Sequence, residues 1–325
     1  MRSVEEMRGA RIVVEEVGSV DPGESVLVAT DWRSTAVAER IAAAAVALDA
    51  QVTMTSMKPR VRDGSEPTKA TAAAMKEVDV IFTPVSRGFS HSSATREALE
   101  AGARFVDMIR FTREQLVEGG LYADFKAIRP RVEDLAAQLS DATRARVRTP
   151  AGTDATFGLD GRRGNSHPCI ADEPGAFTGA FNVEANTAPV EGTTEGTLVF
   201  DASIPHLDIG LLEEPVVMTV EDGSVVSVDG GRAADRIERT WSDLEDPAVT
   251  TIAQLAIGMN PECVEFDGTL QNDHGVSGSV HVGIGTSANL GGETKAPLHF
   301  DAMMADPTVT LDGTVVVEDG EIVGA

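Results

Sequence analysis

The chain has 325 residues, and its 52 acidic residues outnumber the 27 basic ones, which gives a formal net charge of -25. This charge argues against a nucleic-acid partner, because phosphate contacts need clustered Lys and Arg. Only five of the basic residues are lysines. An acidic, lysine-poor surface predicts a halophilic protein, since salt screens the self-repulsion of such a charge. The length suggests two domains, or one large one, with a sizeable core.

Neither membrane attachment nor export is expected. The longest apolar helix-like run, residues 41–50, is too short to span a bilayer. The first residues lead into two glutamates rather than into an apolar signal segment. Cys169 and Cys263 have no CxxC spacing and are interpreted as buried or incidental thiols of a reducing compartment. These features predict a cytoplasmic protein.

Residues 25–110 alternate between strand and helix patterns. Short β-branched or apolar runs predict strands, and Ala-rich or capped segments predict the helices between them. The strands are predicted at 25–30, 51–57, 78–84 and 104–109, and the helices at 33–48, 68–76 and 92–100. Asp31 is predicted to cap the first helix. This rhythm is typical of a doubly wound α/β layer with right-handed crossovers. No GxGxxG follows the first strand, so the layer is Rossmann-like without a nucleotide fingerprint.

The character of the chain changes after a predicted connecting helix at 131–143. The sequence becomes rich in Gly, Thr and Val, with Asp-Gly turns between alternating segments at 216–228 and 308–323 that predict β-hairpins. We therefore predict two domains. Residues 1–130 form the α/β layer, and residues 131–325 form a β-rich α+β domain that binds a metal.

The stretch from His281 to Asp301 carries the metal prediction. Residues two apart on a strand point to one face, so His299 and Asp301 can offer a nitrogen and a carboxylate oxygen to one ion. His281 supplies a third ligand if its strand lies alongside. Two histidines and a carboxylate suit Zn(II) or non-haem Fe(II). A single histidine is more often a surface or core residue, but three of the six histidines fall within 26 residues here.

The chain resembles a known family around this stretch. Six segments match in order and spacing over most of residues 150–315: AGTDATFGLDGR (151–162), NVEANTAPVEGTTEG (182–196), IAQLAIGMNP (252–261), SVHVGIG (279–285), APLHFD (296–301) and PTVTLDG (307–313). These segments resemble the aminopeptidase T family of metallopeptidases and its shorter relatives, which include the iron-dependent 2,5-dihydroxypyridine dioxygenases. The N-terminal half matches only in its α/β rhythm.

The resemblance implies site residues one by one. Glu184 matches a ligand glutamate, His281 a ligand histidine, and His299 with Asp301 the closing His-x-Asp. One position departs, since Gln254 stands where the peptidases have glutamate and the dioxygenases histidine. A carboxamide is a poor metal ligand, so Gln254 favours one ion over two. The tyrosine that follows the histidine in the peptidases is also missing.

Three functions remain open at this stage. The first is an aminopeptidase-like hydrolase for small peptides or amides, in which Zn, Co or Mn activates water and Glu184 is either a ligand or the general base. The second is a mononuclear Fe(II) dioxygenase that opens a small hydroxylated ring, with His281, His299 and Asp301 as its ligands. The third is a catalytically weakened relative that binds a metal or small molecule. The resemblance also implies a homo-oligomer, with a homodimer as our expectation.

The other histidines have weaker interpretations. His206 follows a strand and either lines a cleft or lies in a surface loop. His274, in the turn NDHG, is predicted to be exposed. Ser90 and His91 follow a predicted strand end, and they either contact a substrate or belong to an exposed loop.

Overall fold

The structure is a computed structural model that describes residues 2–90 and 92–324, so His91 lies outside the described residues. The chain divides into two compact units. The first comprises Met1–Lys126 and Pro168–Asn182, and the second comprises Ala127–His167 and Val183–Ala325. The short segment 168–182 thus belongs with the N-terminal residues, while the single boundary at residue 130 stays a prediction.

The regular elements are numbered here in chain order. The helices are α1 (Arg2–Ile12), α2 (Thr35–Ala47), α3 (Lys69–Met75), α4 (Ser93–Glu100), α5 (Phe125–Asp141), α6 (Gly231–Leu244) and α7 (Leu270–Gly275). A π-helical turn follows α1 at Val13–Val17, and 3-10 turns lie at Gly120–Tyr122 and Pro247–Thr250. The first ten strands are β1 (Ser25–Asp31), β2 (Gln51–Met57), β3 (Val80–Val85), β4 (Arg104–Ile109), β5 (Arg144–Arg148), β6 (Asp154–Gly158), β7 (Gly164–His167), β8 (Phe177–Gly179), β9 (Glu184–Thr187) and β10 (Glu195–Phe200). The remaining strands are β11 (Ser203–Ile204), β12 (Gly210–Leu211), β13 (Val216–Glu221), β14 (Ser224–Asp229), β15 (Ile252–Gly258), β16 (Val280–Gly285), β17 (His299–Met304), β18 (Thr308–Leu311), β19 (Thr314–Glu318) and β20 (Glu321–Ile322).

The first unit contains a five-stranded parallel sheet in the order β2-β1-β3-β4-β8. The predicted strand and helix alternation is confirmed, because all four predicted strands and three predicted helices are present within two residues of their expected bounds. Strands β1, β3 and β4 are almost wholly buried. Their near-continuous apolar sequences fit this burial, because helices cover both faces of such a sheet.

Asp31 is not the cap of α2, so that prediction is wrong. Asp31 is the last residue of β1, and Ser34 occupies the N-cap position without a capping side-chain hydrogen bond. The Asp31 carboxylate instead accepts hydrogen bonds from the backbone N–H of Arg33 and from Ser86, through its N–H at 2.7 Å and its hydroxyl at 2.6 Å. The Asp31 carboxylate therefore binds the loop that follows β3 instead of capping α2 as the sequence had predicted.

The second unit contains an eight-stranded antiparallel sheet in the order β14-β13-β10-β6-β5-β18-β19-β20. Both predicted Asp-Gly hairpins are confirmed. At the turn between β13 and β14, Asp222 and Gly223 have φ values of 48° and 72°. Two consecutive residues with positive φ match the right-handed twist of a hairpin, which explains the Asp-Gly pair.

A second sheet of this unit carries the candidate site. Its order is β17-β16-β15-β9-β7, and all neighbouring strands are antiparallel. The three strands β15, β16 and β17 are buried nearly throughout. In the ranges 2–90 and 92–324, no helix combines the length and the apolar character that crossing a membrane requires.

Candidate metal centre

The candidate site lies on one face of the sheet formed by β17, β16, β15, β9 and β7. His299 and Asp301 are two residues apart on β17 and so point to the same face. In the strand ladder, Gly283 of β16 pairs with Asp301 on one side and with Gln254 on the other. Glu184 enters from β9, the next strand beyond β15. Four strands therefore bring the residues of the resembling motifs together.

Gly283 leaves space at the centre of this face. A Cβ atom at this position would lie 2.7 Å from His299 Cε1, 2.8 Å from Gln254 Cβ and 3.0 Å from Asp301 Oδ1. Such distances are too short for any larger residue without movement of these neighbours. The glycine in VHVGIG thus lets three polar side chains converge over one strand.

The Asp301 carboxylate is surrounded by three imidazoles. Oδ1 lies 3.1 Å from His299 Nε2, while Oδ2 lies 3.1 Å from His206 Nε2 and 3.3 Å from His274 Nε2. Asp301 is 2% exposed. Burial alone would raise the pKa of Asp301, but the nearby imidazoles, led by His299, hold it well below its ordinary value. The carboxylate is therefore ionised and available as a ligand.

The tautomer of His299 favours a cation beside Asp301. Nδ1 lies 2.8 Å from the backbone carbonyl oxygen of Thr286, so this nitrogen carries a proton and donates it. A neutral His299 then directs the lone pair of Nε2 toward an anionic oxygen, which is repulsive unless a proton or a metal ion lies there. A separation of 3.1 Å matches two adjacent ligand atoms that each lie about 2.1 Å from one ion.

Glu184 has one satisfied and one unsatisfied carboxylate oxygen. Oε1 accepts hydrogen bonds from Asn186 Nδ2 at 2.7 Å and from Gln254 Nε2 at 3.3 Å. Oε2 is buried and has no hydrogen-bond partner among the described residues. It lies 3.6 Å from His281 Nε2 and 3.8 Å from His274 Nδ1. Burial would raise the pKa of Glu184, but the imidazoles of His281, His274 and His167, together with the hydrogen bond from Asn186, lower it.

His281 is fully buried on β16, and neither of its ring nitrogens has a hydrogen-bond partner within the described chain. Its ring stacks on that of His274, with centroids 4.5 Å apart and planes at 14°. Burial lowers the pKa of His281 to about 4, so the imidazole is neutral near pH 7. A buried neutral imidazole without partners is the form in which histidine binds a metal.

Two groups of ligand atoms lie within 4.8 Å of one another in the described part of the chain: Glu184 with His274 and His281, and His206 with His274 and Asp301. Each group has two imidazoles and one carboxylate. The predicted set is divided between them, since His281 falls in the first group, Asp301 in the second, and His299 beside Asp301. The unsatisfied atoms and the mixed nitrogen and oxygen donors fit a divalent metal ion.

The sequence interpretation missed two residues of this cluster. His274 is not exposed as predicted, because its side chain is only 14% accessible and lies between Glu184 and Asp301. His206 lines the same cluster rather than a surface loop, with its side chain 17% accessible. The one available signal was local: His274 lies seven residues before His281, next to an aspartate that anchors its turn.

The donor set and its burial are those of a metalloenzyme. The chain belongs to the 2,5-dihydroxypyridine 5,6-dioxygenase (NicX) family, whose family model matches residues 13–324. A metal cofactor follows from this membership. The suspected resemblance is thereby confirmed.

The comparisons with individual proteins agree with this family. The chain is 26% identical over 257 residues to the 2,5-dihydroxypyridine 5,6-dioxygenase of Pseudomonas putida, covering 71% of this chain and 73% of the relative. The structure of a 2,5-dihydroxypyridine dioxygenase from Pseudomonas putida KT2440 superimposes with a TM-score of 0.84 at 22% identity, covering 99% of this chain and 98% of that one. Wild-type AmpT from Thermus thermophilus superimposes with a TM-score of 0.75 at 14% identity over the full length of both chains. The two structural likenesses establish the shared fold, as the sequence predicted.

Proposed function

We propose that this protein is an iron-dependent dioxygenase that cleaves the ring of a small hydroxylated pyridine of the 2,5-dihydroxypyridine type. The observation that carries the proposal is the buried Asp301 carboxylate with three imidazole nitrogens at 3.1 to 3.3 Å, in a chain whose family model bears this activity. A set of imidazoles and one carboxylate is the donor combination of non-haem Fe(II) oxygenases.

The residues that would hold the metal are those of the sequence prediction: His281, His299 and Asp301, with Glu184 beside them. A bound Fe(II) would supply the redox and Lewis-acid chemistry by which an electron-rich ring reacts with dioxygen. Both atoms of dioxygen enter the product when the ring carbon–carbon bond breaks, so the reaction needs no external reductant.

Glu184 is the proposed proton acceptor. Its ionised carboxylate presents the unpartnered Oε2 toward the cluster, while Oε1 is held by Asn186 and Gln254. A hydroxylated ring must lose a hydroxyl proton as it binds, and a fixed carboxylate nearby accepts that proton. Gln254 then positions Glu184 as the base. The residue that departs from the family pattern thus has a role other than metal binding.

The aminopeptidase-like hydrolysis that the sequence favoured has weaker support. Its structural counterpart here is a 14% identical chain, which indicates fold alone. Gln254 donates to Glu184 and offers no second bridging carboxylate, whereas a two-ion hydrolytic site needs carboxylates to hold both ions.

The test is a direct assay of the reaction. Protein purified in high salt is loaded anaerobically with Fe(II), then mixed with 2,5-dihydroxypyridine in air-saturated buffer. We expect loss of the aromatic absorbance with equimolar dioxygen uptake, and incorporation of both atoms of isotope-labelled dioxygen. Absence of dioxygen uptake by iron-loaded protein, together with Zn- or Mn-dependent hydrolysis of aminoacyl amides, would replace this proposal with the hydrolase.

A further inference from the structure

His274 reaches the cluster from outside the sheet. It lies in α7, a helix of only six residues that is too short to be stable by itself. The neighbouring Asp273 anchors this helix, because its carboxylate accepts hydrogen bonds from the backbone N–H groups of Asp267 at 2.9 Å and Gly268 at 3.0 Å, and from the Ser203 hydroxyl. The imidazole of His274 is therefore held in place through the adjacent residue.

The ring of His274 lies between the two carboxylates of the site. Nε2 is 3.3 Å from Asp301 Oδ2, and Nδ1 is 3.8 Å from Glu184 Oε2. Nε2 is buried and is not aligned for a hydrogen bond with any described atom. His274 is also the member common to both compact groups of ligand atoms.

We propose that His274 is a further metal ligand of this protein through Nε2, added at the Asp301 carboxylate to the ligands named above, with His206 beside the same carboxylate oxygen. This inference rests on the metal dependence of the proposed function, but it does not depend on which reaction the metal supports. The compact group of His206, His274 and Asp301 contains two imidazoles and one carboxylate, donors that suit a divalent transition metal.

The positions of the neighbouring side chains support this assignment. Nε2 of His274 lies 3.3 Å from Asp301 Oδ2, and Nδ1 of the same ring lies 3.8 Å from the second carboxylate oxygen, Glu184 Oε2. His206 approaches the same oxygen at 3.1 Å. Two imidazole nitrogens that meet at one carboxylate oxygen enclose a position where an ion contacts all three atoms.

The test compares metal binding by His274→Gln and His274→Ala with the wild type and with His167→Gln. His167 is a matched control, because it is a half-buried histidine of the same sheet, in register with Glu184 on β7, and it lies outside both groups. Each protein is stripped of metal by a chelator in high salt and titrated anaerobically with Co(II). Visible absorption reports the coordination, and elemental mass spectrometry gives the metal content after loading with Fe(II).

We expect both His274 variants to bind Co(II) more than about 100-fold more weakly than the wild type, which exceeds the loss caused by removing a residue that only orients a ligand. The His167→Gln protein should bind like the wild type. Added imidazole should restore the Co(II) spectrum of His274→Ala, since the deleted ring leaves room beside His281. Thermal unfolding of the metal-free proteins identifies a variant that is unfolded, and His274→Gln, which retains most of the side-chain volume, then decides the outcome.

The outcomes separate this inference from the proposed function. If the wild type binds neither Co(II) nor Fe(II), both fail. If the wild type cleaves 2,5-dihydroxypyridine but His274→Gln keeps the wild-type affinity and spectrum, the ligand assignment alone is overturned. A loss of less than about 100-fold with an unchanged spectrum also overturns it, because a residue that only orients a ligand accounts for such a loss. If His274 variants lose metal but the loaded wild type does not consume dioxygen, the ligand assignment stands and the ring-cleavage proposal fails.

Discussion

Strand β3 of the parallel sheet and strand β16 of the site sheet are both wholly buried but differ in what they bury. Strand β3 reads Val-Ile-Phe-Thr-Pro-Val and strand β16 reads Val-His-Val-Gly-Ile-Gly, and every residue of both strands is buried. On β3 apolar residues point to both faces. On β16 the apolar residues occupy one face, while a histidine and two glycines occupy the other. When apolar residues alternate with polar residues or glycines in a strand that is buried on both faces, the pattern thus indicates a buried polar site rather than a solvent-exposed face.

The carboxylates of the two sheets differ in the same sense. Asp107 on β4 accepts hydrogen bonds from the Thr83 hydroxyl and the Ile109 N–H, both at 3.2 Å. Glu184 and Asp301 lie instead among imidazoles, and Glu184 Oε2 has no hydrogen-bond partner within the described residues. A carboxylate that its own chain satisfies is structural, whereas one that is left unsatisfied requires a ligand.

Removing the Asp301 charge tests this distinction with the largest expected effect. Asp301→Asn places a neutral amide among three imidazoles, so metal affinity should fall by more than about 100-fold, beyond the loss of an orienting partner alone. Elemental analysis after Fe(II) loading measures the change. Asp312→Asn is the control, because Asp312 accepts hydrogen bonds from Thr143 and Arg144 in an exposed turn. Full metal content in Asp301→Asn would remove Asp301 from the site.

Glu184→Gln separates turnover from metal binding. The amide keeps the shape of the side chain but cannot accept a proton, so the rate of ring cleavage should fall about 10²–10⁴-fold. Metal content should stay near that of the wild type, because Asp301 and its imidazoles remain. Single-turnover kinetics with matched metal content provide the measurement. Parallel loss of metal and rate would make Glu184 a ligand instead of the base.

Two substitutions on β16 compare the two faces of one strand. Gly283→Ala adds a Cβ at 2.7 Å from His299 Cε1 and 3.0 Å from Asp301 Oδ1. These side chains must move, and metal affinity should fall about 10–100-fold, as for a displaced ligand. Val282→Ala, on the opposite and fully buried face, should cost about 2 kcal/mol of unfolding free energy and leave metal affinity unchanged. Cobalt titration and urea unfolding of both variants make the comparison. Equal effects on affinity would mean that the faces are not functionally distinct.

The sequence predicted the elements that depend on local residue composition or on a periodic pattern. The βαβ rhythm follows from apolar runs separated by capped helices, and the hairpins follow from Asp-Gly pairs that adopt positive φ at little cost. The pair His299 and Asp301 could be placed on one face because strand periodicity is two. Asp31 was assigned wrongly, because its hydrogen-bond partner at Ser86 is distant in sequence.

The remaining residues of the cluster could not be derived from spacing. His206 lies in the connection between β11 and β12, and His274 lies on the short helix α7, so neither belongs to a periodic segment. Both histidines lie near Asp301 in the fold but far from it in the sequence, and His206 precedes Asp301 by 95 residues. A turn sequence such as NDHG favours an exposed position in general, and only the anchoring of Asp273 turns the histidine inward.

The smallest expected effect is a pH dependence of the unfolding free energy, which we predict for Asp107 in the parallel sheet. Burial raises the pKa of Asp107 from its ordinary 3.8 to about 6. Because the folded-state pKa lies above the unfolded one, the protonated form stabilises the fold below pH 3.8, and this contribution is lost as pH rises toward 6. The loss reaches at most about 3 kcal/mol.

Asp107→Asn retains an oxygen that accepts from Thr83 and Ile109, yet it cannot ionise. The variant should therefore gain stability over the wild type as the pH rises from 4 to 7, measured by urea unfolding in high salt. Asp79→Asn has the opposite expectation, because hydrogen bonds from Ser25 lower the pKa of Asp79, and this variant should lose stability at neutral pH. A stability difference between Asp107→Asn and the wild type that stays constant from pH 4 to 7 would show that Asp107 remains ionised in the fold. The carboxylate of Asp107 would then need a partner, as that of Asp301 does, and the contrast between the two sheets would not hold.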